Sequence, residues 1–324
     1  MKIAISYLGI AAIGYLIAVF LKEQKNRFGW IGKFLPMVVT ALIFTMGFRI
    51  GENAEVVSNI GTIGIQSLIM ALVTMAFTIV ALGLVRRALG YNRYGHFEKE
   101  EGADKGGGSG SEKKPRFSAS TIRYLIAVLL GFLLGYVLVV RTGTISFDTA
   151  SLVSGTFVTY ALYLMVLLVG MDMGFDGSLP KVFKATGIKA FAIPAATAVS
   201  TIAGILVCNI FIGIGFKEII CIGCTFGWYS LGPNIIMEAG MISAGAYAFL
   251  TNFLRDMISI LVIPWVADRF GYVETVGLPQ AAAMDVCIAT IEGATNKATT
   301  ALAFFSGALF TIFIPVFLPI IAAL

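Results

Sequence analysis

Long apolar stretches recur along the whole chain, and they constrain its fold more than any other feature. A run of about 18 or more apolar residues is long enough to cross a bilayer as one helix. The chain is 58% hydrophobic and only 13% charged, so it has too few polar residues to cover a water-soluble surface. The sequence therefore predicts an all-α integral membrane protein. The predicted spans are 3–21, 31–50, 60–86, 122–140, 154–171, 186–212, 242–266 and 298–322.

Basic residues are concentrated in alternate loops, which predicts the orientation of the chain. Loop 22–33 carries four basic residues and one acid, and segment 86–123 carries nine basic residues. Loop 51–59, in contrast, carries two acids and no base. Because basic loops stay in the cytoplasm, we expect the N-terminus outside. Orientation thus accounts for the net charge of +5, and we expect membrane lipid, not nucleic acid, around the protein.

A polar, glycine-rich stretch separates the third and fourth predicted spans. Segment 91–121 contains Gly106-Gly-Gly-Ser-Gly-Ser111 flanked by mixed charges. This composition is typical of a flexible, solvated linker, which the charge pattern places in the cytoplasm. It divides the chain into a first three-helix unit (1–90), a second three-helix unit (122–212) and a C-terminal unit (213–324).

The two three-helix units share a short internal repeat. Thr45-Met-Gly47-Phe-Arg-Ile-Gly51 resembles Leu168-Val-Gly170-Met-Asp-Met-Gly174, which lies 123 residues later. An odd number of spans in each unit turns the second copy over in the membrane. The repeat therefore predicts inverted three-helix repeats, a plan that many secondary transporters use.

Two segments of the C-terminal unit interrupt the transmembrane pattern. In segment 219–240 glycine and proline break the apolar run, and segment 278–297 is short and rich in small residues. Irregular backbone is tolerated at membrane depth only where protein or water covers its polar groups. We therefore expect two re-entrant or broken helices that line a cavity, beside about eight spanning helices, with both termini outside. Ten spans are the alternative, and they also leave both termini outside.

Asp256 is the most conspicuous polar residue of the predicted spans. It lies 14 residues into span 242–266, where a carboxylate costs about 3 kcal/mol on insertion scales. Asn252 and Ser259 lie on the same helix face, whereas Arg255 points about 100° away and is a loose partner at best. This polar stripe predicts a proton or cation site, and a salt bridge that fixes helix packing is the alternative.

Further polar residues lie within the two interrupted segments. Asp285 follows a run of small residues, and we interpret it as a cation or proton site, with a helix cap as the alternative. Glu238 ends the first segment, at membrane depth or at the interface. Other residues of that segment are candidates for contacts with a substrate, although the rings are also typical of an interfacial belt. They are Trp228, Tyr229, Ser230 and Asn234.

Three charged residues near glycines of the repeat receive a simpler interpretation. Asp172 and Asp176 close the fifth span and are expected to be ordinary helix-end residues. Arg49 occupies the matching place in the first unit, and we expect it to snorkel to the interface.

The sequence argues against several kinds of catalytic or metal site. The only histidine is His96, and the four cysteines lie in or beside apolar stretches, which is typical of small apolar fillers. No phosphate-binding motif of the G-x-x-x-x-G-K-S/T type occurs. We therefore expect no cofactor, no metal site and no enzymatic activity, and we expect transport driven by a gradient.

The C-terminal motifs resemble those of the lysine exporter (LysO-type) family. The similar segments are Phe226-Gly-Trp-Tyr-Ser-Leu231, Phe253-Leu-Arg255-Asp256 and Ala283-Met284-Asp285. The resemblance implies export of lysine and lysine-like analogues across the cytoplasmic membrane of a bacterium or archaeon. It also implies proton antiport through paired intramembrane acids, here Asp256 and Asp285. The family often has Glu at the position of Asp256.

Other functions stay open at this point. A cation/proton antiporter also uses paired intramembrane acids and broken helices, and an exporter of another small solute fits the same pattern. An uncoupled pore predicts flux that is insensitive to a pH gradient. An intramembrane aspartyl protease also places two acids in neighbouring segments, but the residues before Asp256 and Asp285 do not resemble its Tyr-Asp and Gly-x-Gly-Asp patterns. The sequence pattern does not favour any particular oligomeric state.

Overall fold

The computed structural model describes four stretches of the chain, which are 2–22, 28–95, 119–176 and 188–324. These residues form helices, turns and loops, and they contain no β-strand. Most of the predicted linker 91–121 lies outside the described residues.

Thirteen α-helices occur in the described residues. In chain order they are α1 (Lys2–Phe20), α2 (Ile31–Glu52), α3 (Ala54–Ser58), α4 (Ile60–Ala88), α5 (Ala119–Gly135), α6 (Phe147–Asp176), α7 (Ala192–Ile212), α8 (Phe216–Gly223), α9 (Gly232–Glu238), α10 (Ile242–Arg269), α11 (Tyr272–Val276), α12 (Ile288–Ala294) and α13 (Lys297–Ala323). A π-helical stretch, Tyr136–Arg141, extends α5.

A long helix lies at each of the eight predicted spans. Within the described residues, six helices are long and apolar enough to cross a membrane, namely α2, α4, α6, α7, α10 and α13, and Ile126–Arg141 is a shorter apolar helix. Large apolar side chains such as Ile65, Val199 and Ile210 are more than 60% exposed on the outer faces of these helices. A bilayer covers such faces, whereas water does not. The prediction of an all-α membrane protein is confirmed.

Helices α2 and α5 approach each other closely because each presents glycines to the backbone of the other. A Cβ atom added at Gly51 would lie 2.2 Å from the backbone oxygen of Phe132. One added at Gly131 would lie 2.0 Å from the backbone oxygen of Phe44. Small residues let helices in lipid gain van der Waals contact, so these glycines are required by the packing.

Helices α1 and α6 repeat this contact with equivalent residues. A Cβ atom at Gly174 would lie 2.7 Å from the backbone oxygen of Tyr15, and one at Gly14 would lie 2.4 Å from that of Leu167. Gly174 and Leu167 lie 123 residues after Gly51 and Phe44 of α2. Gly14 and Tyr15 lie 117 residues before Gly131 and Phe132 of α5. The two helix contacts are therefore copies of each other.

The two interrupted segments are both broken helices. Residues 224–231 separate α8 from α9, and within them Phe226 and Gly227 have positive φ angles of 36° and 79°. A 3₁₀-helical turn, Gln280–Met284, lies between α11 and α12, and Gln280 has a φ of 55°. Positive φ at two residues other than glycine marks strained backbone, which persists where the surrounding structure holds it.

The two breaks meet inside the protein. The amide of Ala281 donates a hydrogen bond of 3.1 Å to the carbonyl of Phe226. A Cβ atom at Gly227 would lie 2.6 Å from the backbone oxygen of Pro279, so glycine permits this close approach. Protein therefore covers part of the irregular backbone, as membrane depth requires.

Ion pairs tie the broken segments to opposite ends of the helix bundle. At the end where α2 finishes, Arg49 Nη1 lies 3.0 Å from Glu238 Oε1 of the first broken segment. At the end where α4 finishes, Arg86 Nε lies 2.8 Å from Glu274 Oε1 of α11, the helix that leads into the second broken segment. The second segment also ends there, because Asn296 donates to a carbonyl of the loop that follows α4.

Candidate functional site

A cavity of about 490 Å³ lies between the two breaks and helices α2, α5, α6 and α13. Its size is typical of sites that bind small molecules. The first break contributes Trp228, Tyr229 and Ser230 to its wall, and the second contributes Asp285. Helices α2, α5, α6 and α13 complete the wall with Leu35, Pro36, Val39, Tyr124, Met165, Val169, Asp172 and Thr311.

Asp285 presents its carboxylate to the cavity. The side chain is exposed although it follows the buried turn at the second break, and one of its oxygens accepts a hydrogen bond from the Val286 amide. Helix α12 begins at Ile288, and its N-cap is Cys287. The alternative interpretation of Asp285 as a helix cap is therefore wrong, because the chain makes a further turn before the helix starts.

Asp256 is fully buried and does not line the cavity. Neither of its carboxylate oxygens has a hydrogen-bond partner within the described part of the chain, and the hydroxyl of Ser259 also has none there. Asp256 lies close enough to Asp285 for a direct electrostatic interaction. Since a buried carboxylate without partners is costly, this site favours a bound proton or a cation. The alternative of a packing salt bridge is not found among the described residues.

Asn252 holds the first break in place. Its side-chain oxygen accepts a hydrogen bond of 3.2 Å from the Gly227 amide, and its amide group donates one of 2.6 Å to Thr225 Oγ1. Asn252 lies one turn before Asp256, so α10 connects the break directly to the buried acid.

Arg255 turns away from Asp256 and is almost completely buried, with 1% of its surface exposed. Its guanidinium donates hydrogen bonds to four uncharged oxygens. These are Leu278 O at 2.6 Å, Thr74 Oγ1 at 3.0 Å, and Gly277 O and Thr78 Oγ1 at 3.2 Å. The expectation that Arg255 is a loose partner of Asp256 agrees with these contacts.

Glu238 lies outside the cavity wall and pairs with Arg49. Its second carboxylate oxygen accepts a hydrogen bond of 2.9 Å from Thr159 Oγ1 of α6. Arg49 is only 5% exposed, so the expectation that it snorkels to the interface is wrong. The carboxylate of Glu238, which is 189 residues away in sequence, accepts a hydrogen bond from Arg49 Nη1 inside the protein instead.

The aromatic residues of the first break face inward. Tyr229 is buried, and its ring contacts those of Phe249, Phe253 and Tyr124 at centroid distances of 6.4, 5.9 and 6.3 Å. This position rules out an interfacial belt role for Tyr229. Trp228 is half-buried on the cavity wall.

Ser230 and Asn234 are connected through the backbone of the break. The amide group of Asn234 donates a hydrogen bond of 2.8 Å to the Ser230 carbonyl. Ser230 lines the cavity, whereas Asn234 is fully buried beside it. Asn234 therefore supports the break and does not contact the cavity.

Some residues of the site escaped the sequence interpretation. Asp172 and Tyr124 line the cavity, although Asp172 was interpreted as a helix-end residue and Tyr124 was not among the candidates. Thr74 and Thr78 bind Arg255, and threonines recur 123 residues later at both positions. That recurrence was the signal that could have revealed them.

Comparison with known proteins identifies relatives along most of the chain. The family model described as "Lysine exporter LysO" matches residues 125–322. The curated "Lysine exporter LysO" of Escherichia coli (strain K12) is 22% identical over 311 residues, which cover 96% of this chain and 96% of that protein. No solved structure matches the chain.

Proposed function

The chain belongs to the lysine exporter LysO family, whose model covers more than half of it, and we propose that it exports L-lysine and lysine-like analogues by proton antiport. Membership makes the protein a transporter rather than an enzyme, a multi-pass protein of the cytoplasmic membrane, and an amino-acid exporter. One observation carries the finer proposal. Asp285 on the cavity wall interacts electrostatically with Asp256, a buried carboxyl group without hydrogen-bond partners in the described residues.

The proposed topology has eight spanning helices and two re-entrant hairpins, with both termini outside. Hairpin 1 (216–238) follows α7 after three residues and ends at Glu238, which binds Arg49 near the end of α2. In this topology α2 and α7 both finish outside, so hairpin 1 enters and leaves there. Hairpin 2 (272–294) begins and ends beside the loop after α4, which is cytoplasmic by its basic residues.

Inverted repeats are the second part of the proposed architecture. They are supported by the two equivalent glycine contacts, in which α1 pairs with α6 and α2 pairs with α5. The third helices of the two units, α4 and α7, also pack against each other. A two-fold axis in the membrane plane generates this pairing, as it does in other transporters with inverted repeats.

The cavity opens, in our proposal, toward the cytoplasm. Its wall includes Leu35 and Pro36 at the start of α2, Tyr124 at the start of α5 and Asp172 near the end of α6. These helix ends adjoin the basic loops of the sequence, which stay inside. The structure then corresponds to the state in which an exporter loads its substrate.

Lysine carries a cationic side chain, with a reference pKa of about 10.4. We assign the carboxylate of Asp285 to one ammonium group of the substrate, because it is the exposed acid at the second break. Trp228 and Tyr229 cover the aliphatic part or contact the cation through their ring faces. Ser230 is part of the cavity wall, and we assign its hydroxyl to orienting a polar group of the substrate.

Coupling follows from competition between the substrate and protons for the two acids. In the inward-open state the ionised pair, Asp256 and Asp285, attracts the cationic substrate. After the site turns outward, protons from outside replace the substrate and release it. Return of the protons to the cytoplasm regenerates the loading state. The two hairpins let one site face each side in turn.

A closed outer side completes this account. Arg49, Glu238 and Thr159 join α2, hairpin 1 and α6 at the end opposite the cavity opening. Nearby, Ser154 Oγ lies 3.4 Å from the buried carboxylate of Glu52. We propose that these contacts hold the outer side shut while the substrate loads.

Lysine transport by purified protein in liposomes tests the proposal. We expect efflux of labelled lysine that an imposed pH gradient accelerates, that lysine analogues inhibit and that glutamate does not. Sodium-driven proton movement without any response to amino acids would contradict lysine export and support a cation/proton antiporter. Lysine flux that is insensitive to the pH gradient would indicate an uncoupled pore.

A further inference from the structure

The contacts of Arg255 are unusual for a buried cation, because none of its hydrogen-bond partners in the described part of the chain is a carboxylate. The guanidinium is surrounded by two backbone carbonyls of hairpin 2 and two hydroxyls of α4, at 2.6 to 3.2 Å. Removing a charge from water costs several kcal/mol, so a hydrophobic residue of similar volume would be the cheaper filler. A buried charge at this position therefore points to a functional requirement.

The oxygens around Arg255 are of the type that binds a free metal cation. Unwound carbonyls at the ends of half-helices coordinate the coupling Na⁺ in several secondary transporters. Here Gly277 O and Leu278 O lie where α11 ends and the second break begins. The hydroxyls of Thr74 and Thr78, one turn apart on α4, complete a set of uncharged oxygen ligands.

The equivalent position in the second unit holds no charge. Thr197 and Thr201 on α7 lie 123 residues after the α4 pair. There Thr201 Oγ1 accepts a hydrogen bond of 2.6 Å from the neutral amide of Gln280. Among the described residues, a positive charge therefore binds the threonine pair of α4 and not that of α7. This charge belongs to Arg255, the residue next to Asp256.

We propose that Arg255 is a built-in cation at a site of the Na⁺-binding type, where it positions hairpin 2 and takes the place of a free metal cation. Its fixed positive charge occupies this site throughout the cycle, so transport requires neither Na⁺ nor K⁺ there. Arg255 is a positioning residue, and it contacts the first arm of hairpin 2 and not the cavity. The independence of transport from Na⁺ and K⁺ rests on the proposed lysine export, whereas the occupation of the cation site by Arg255 does not.

The test compares Arg255→Ala and Arg255→Gln with the wild type and with Arg87→Gln, a control at an exposed arginine of α4. Purified proteins are heated in choline, sodium or guanidinium chloride at equal millimolar concentration. We expect both Arg255 variants to unfold at lower temperature in choline, and guanidinium or Na⁺ to restore part of the loss. The wild type and the control should not distinguish these salts at such concentrations.

Transport supplies the second measurement. We expect wild-type lysine flux to be equal in sodium and choline media, and the Arg255→Gln variant to lose about 100-fold in choline, since charge-assisted hydrogen bonds are removed. Wild-type flux that falls several-fold without Na⁺ would overturn the inference. So would an Arg255→Gln variant with wild-type stability and flux in choline. If the wild type moves no lysine in any medium, the proposed function fails, and the unfolding temperatures still decide whether Arg255 occupies a cation site.

Discussion

Breaking the Arg49–Glu238 ion pair should open the outer side of the protein. The two side chains are 6% and 28% exposed, so the pair is neither fully buried nor on the surface. Hydrogen bonds between charged groups contribute about 1.5–3 kcal/mol, and exposed ion pairs contribute about 1 kcal/mol or less. An intermediate value of about 1–2 kcal/mol corresponds to about a 5- to 30-fold change in the ratio of two states.

A cysteine reporter in the cavity measures that ratio. Ala289 lines the cavity and is exposed there, and the four native cysteines are buried, so Ala289→Cys gives a single reactive thiol. In this background we expect Glu238→Gln to raise labelling by a membrane-impermeant reagent from outside by about tenfold. Arg49→Gln should have a similar effect, and the double variant should not exceed either by much.

The control for this experiment is Glu292→Gln, which removes an exposed carboxylate of α12. It should leave outside labelling unchanged. Unchanged labelling in both Glu238→Gln and Arg49→Gln, with the reporter still reactive from the cytoplasmic side, would refute the assignment of this pair to the outer closure.

Three further substitutions test other parts of the account. Gly131→Val should destabilise the protein by about 1–3 kcal/mol or more, because the new side chain meets the α2 backbone. Thermal unfolding measures this loss, and Gly61→Val, at a position that faces open space, is the control. Asn252→Ala should lower the free energy of unfolding by about 1–3 kcal/mol, because the buried Gly227 amide of the first break loses its acceptor. Asn59→Ala, at an exposed asparagine, is the control, and equal unfolding temperatures of the two variants would contradict this role of Asn252. Asp172→Asn should weaken lysine binding several-fold in a binding titration while the remaining flux stays coupled to protons, and unchanged affinity would remove Asp172 from the site.

Much of the helical architecture could be predicted from the sequence, because each span is recognised from its own hydropathy and length without any knowledge of its tertiary contacts. The broken segments were also predictable, since Gly227, Gly232 and Pro233 interrupt an apolar run that is otherwise long enough to span. Glycine spacing revealed the short sequence repeat, and two of its glycines, Gly51 and Gly174, form equivalent helix contacts in the structure.

Contacts between distant residues could not be predicted in this way. Arg49 and Glu238 are 189 residues apart, and nothing in either local sequence identifies the partner. Asp172 was assigned to a helix end because its neighbours suggest nothing else, yet α6 continues to Asp176 and brings Asp172 to the cavity. The local pattern also did not predict which oxygens surround Arg255, since they belong to α4 and hairpin 2.

Proton movement on addition of lysine is a direct measure of antiport through Asp256 and Asp285. Liposomes that contain the purified protein and a pH-sensitive dye are given lysine, with Asp256→Asn, Asp285→Asn and Glu292→Gln measured alongside. We expect a lysine-dependent proton signal in the wild type and in Glu292→Gln, and none in either of the other two variants. A full signal in Asp256→Asn or Asp285→Asn would contradict antiport through this pair of acids.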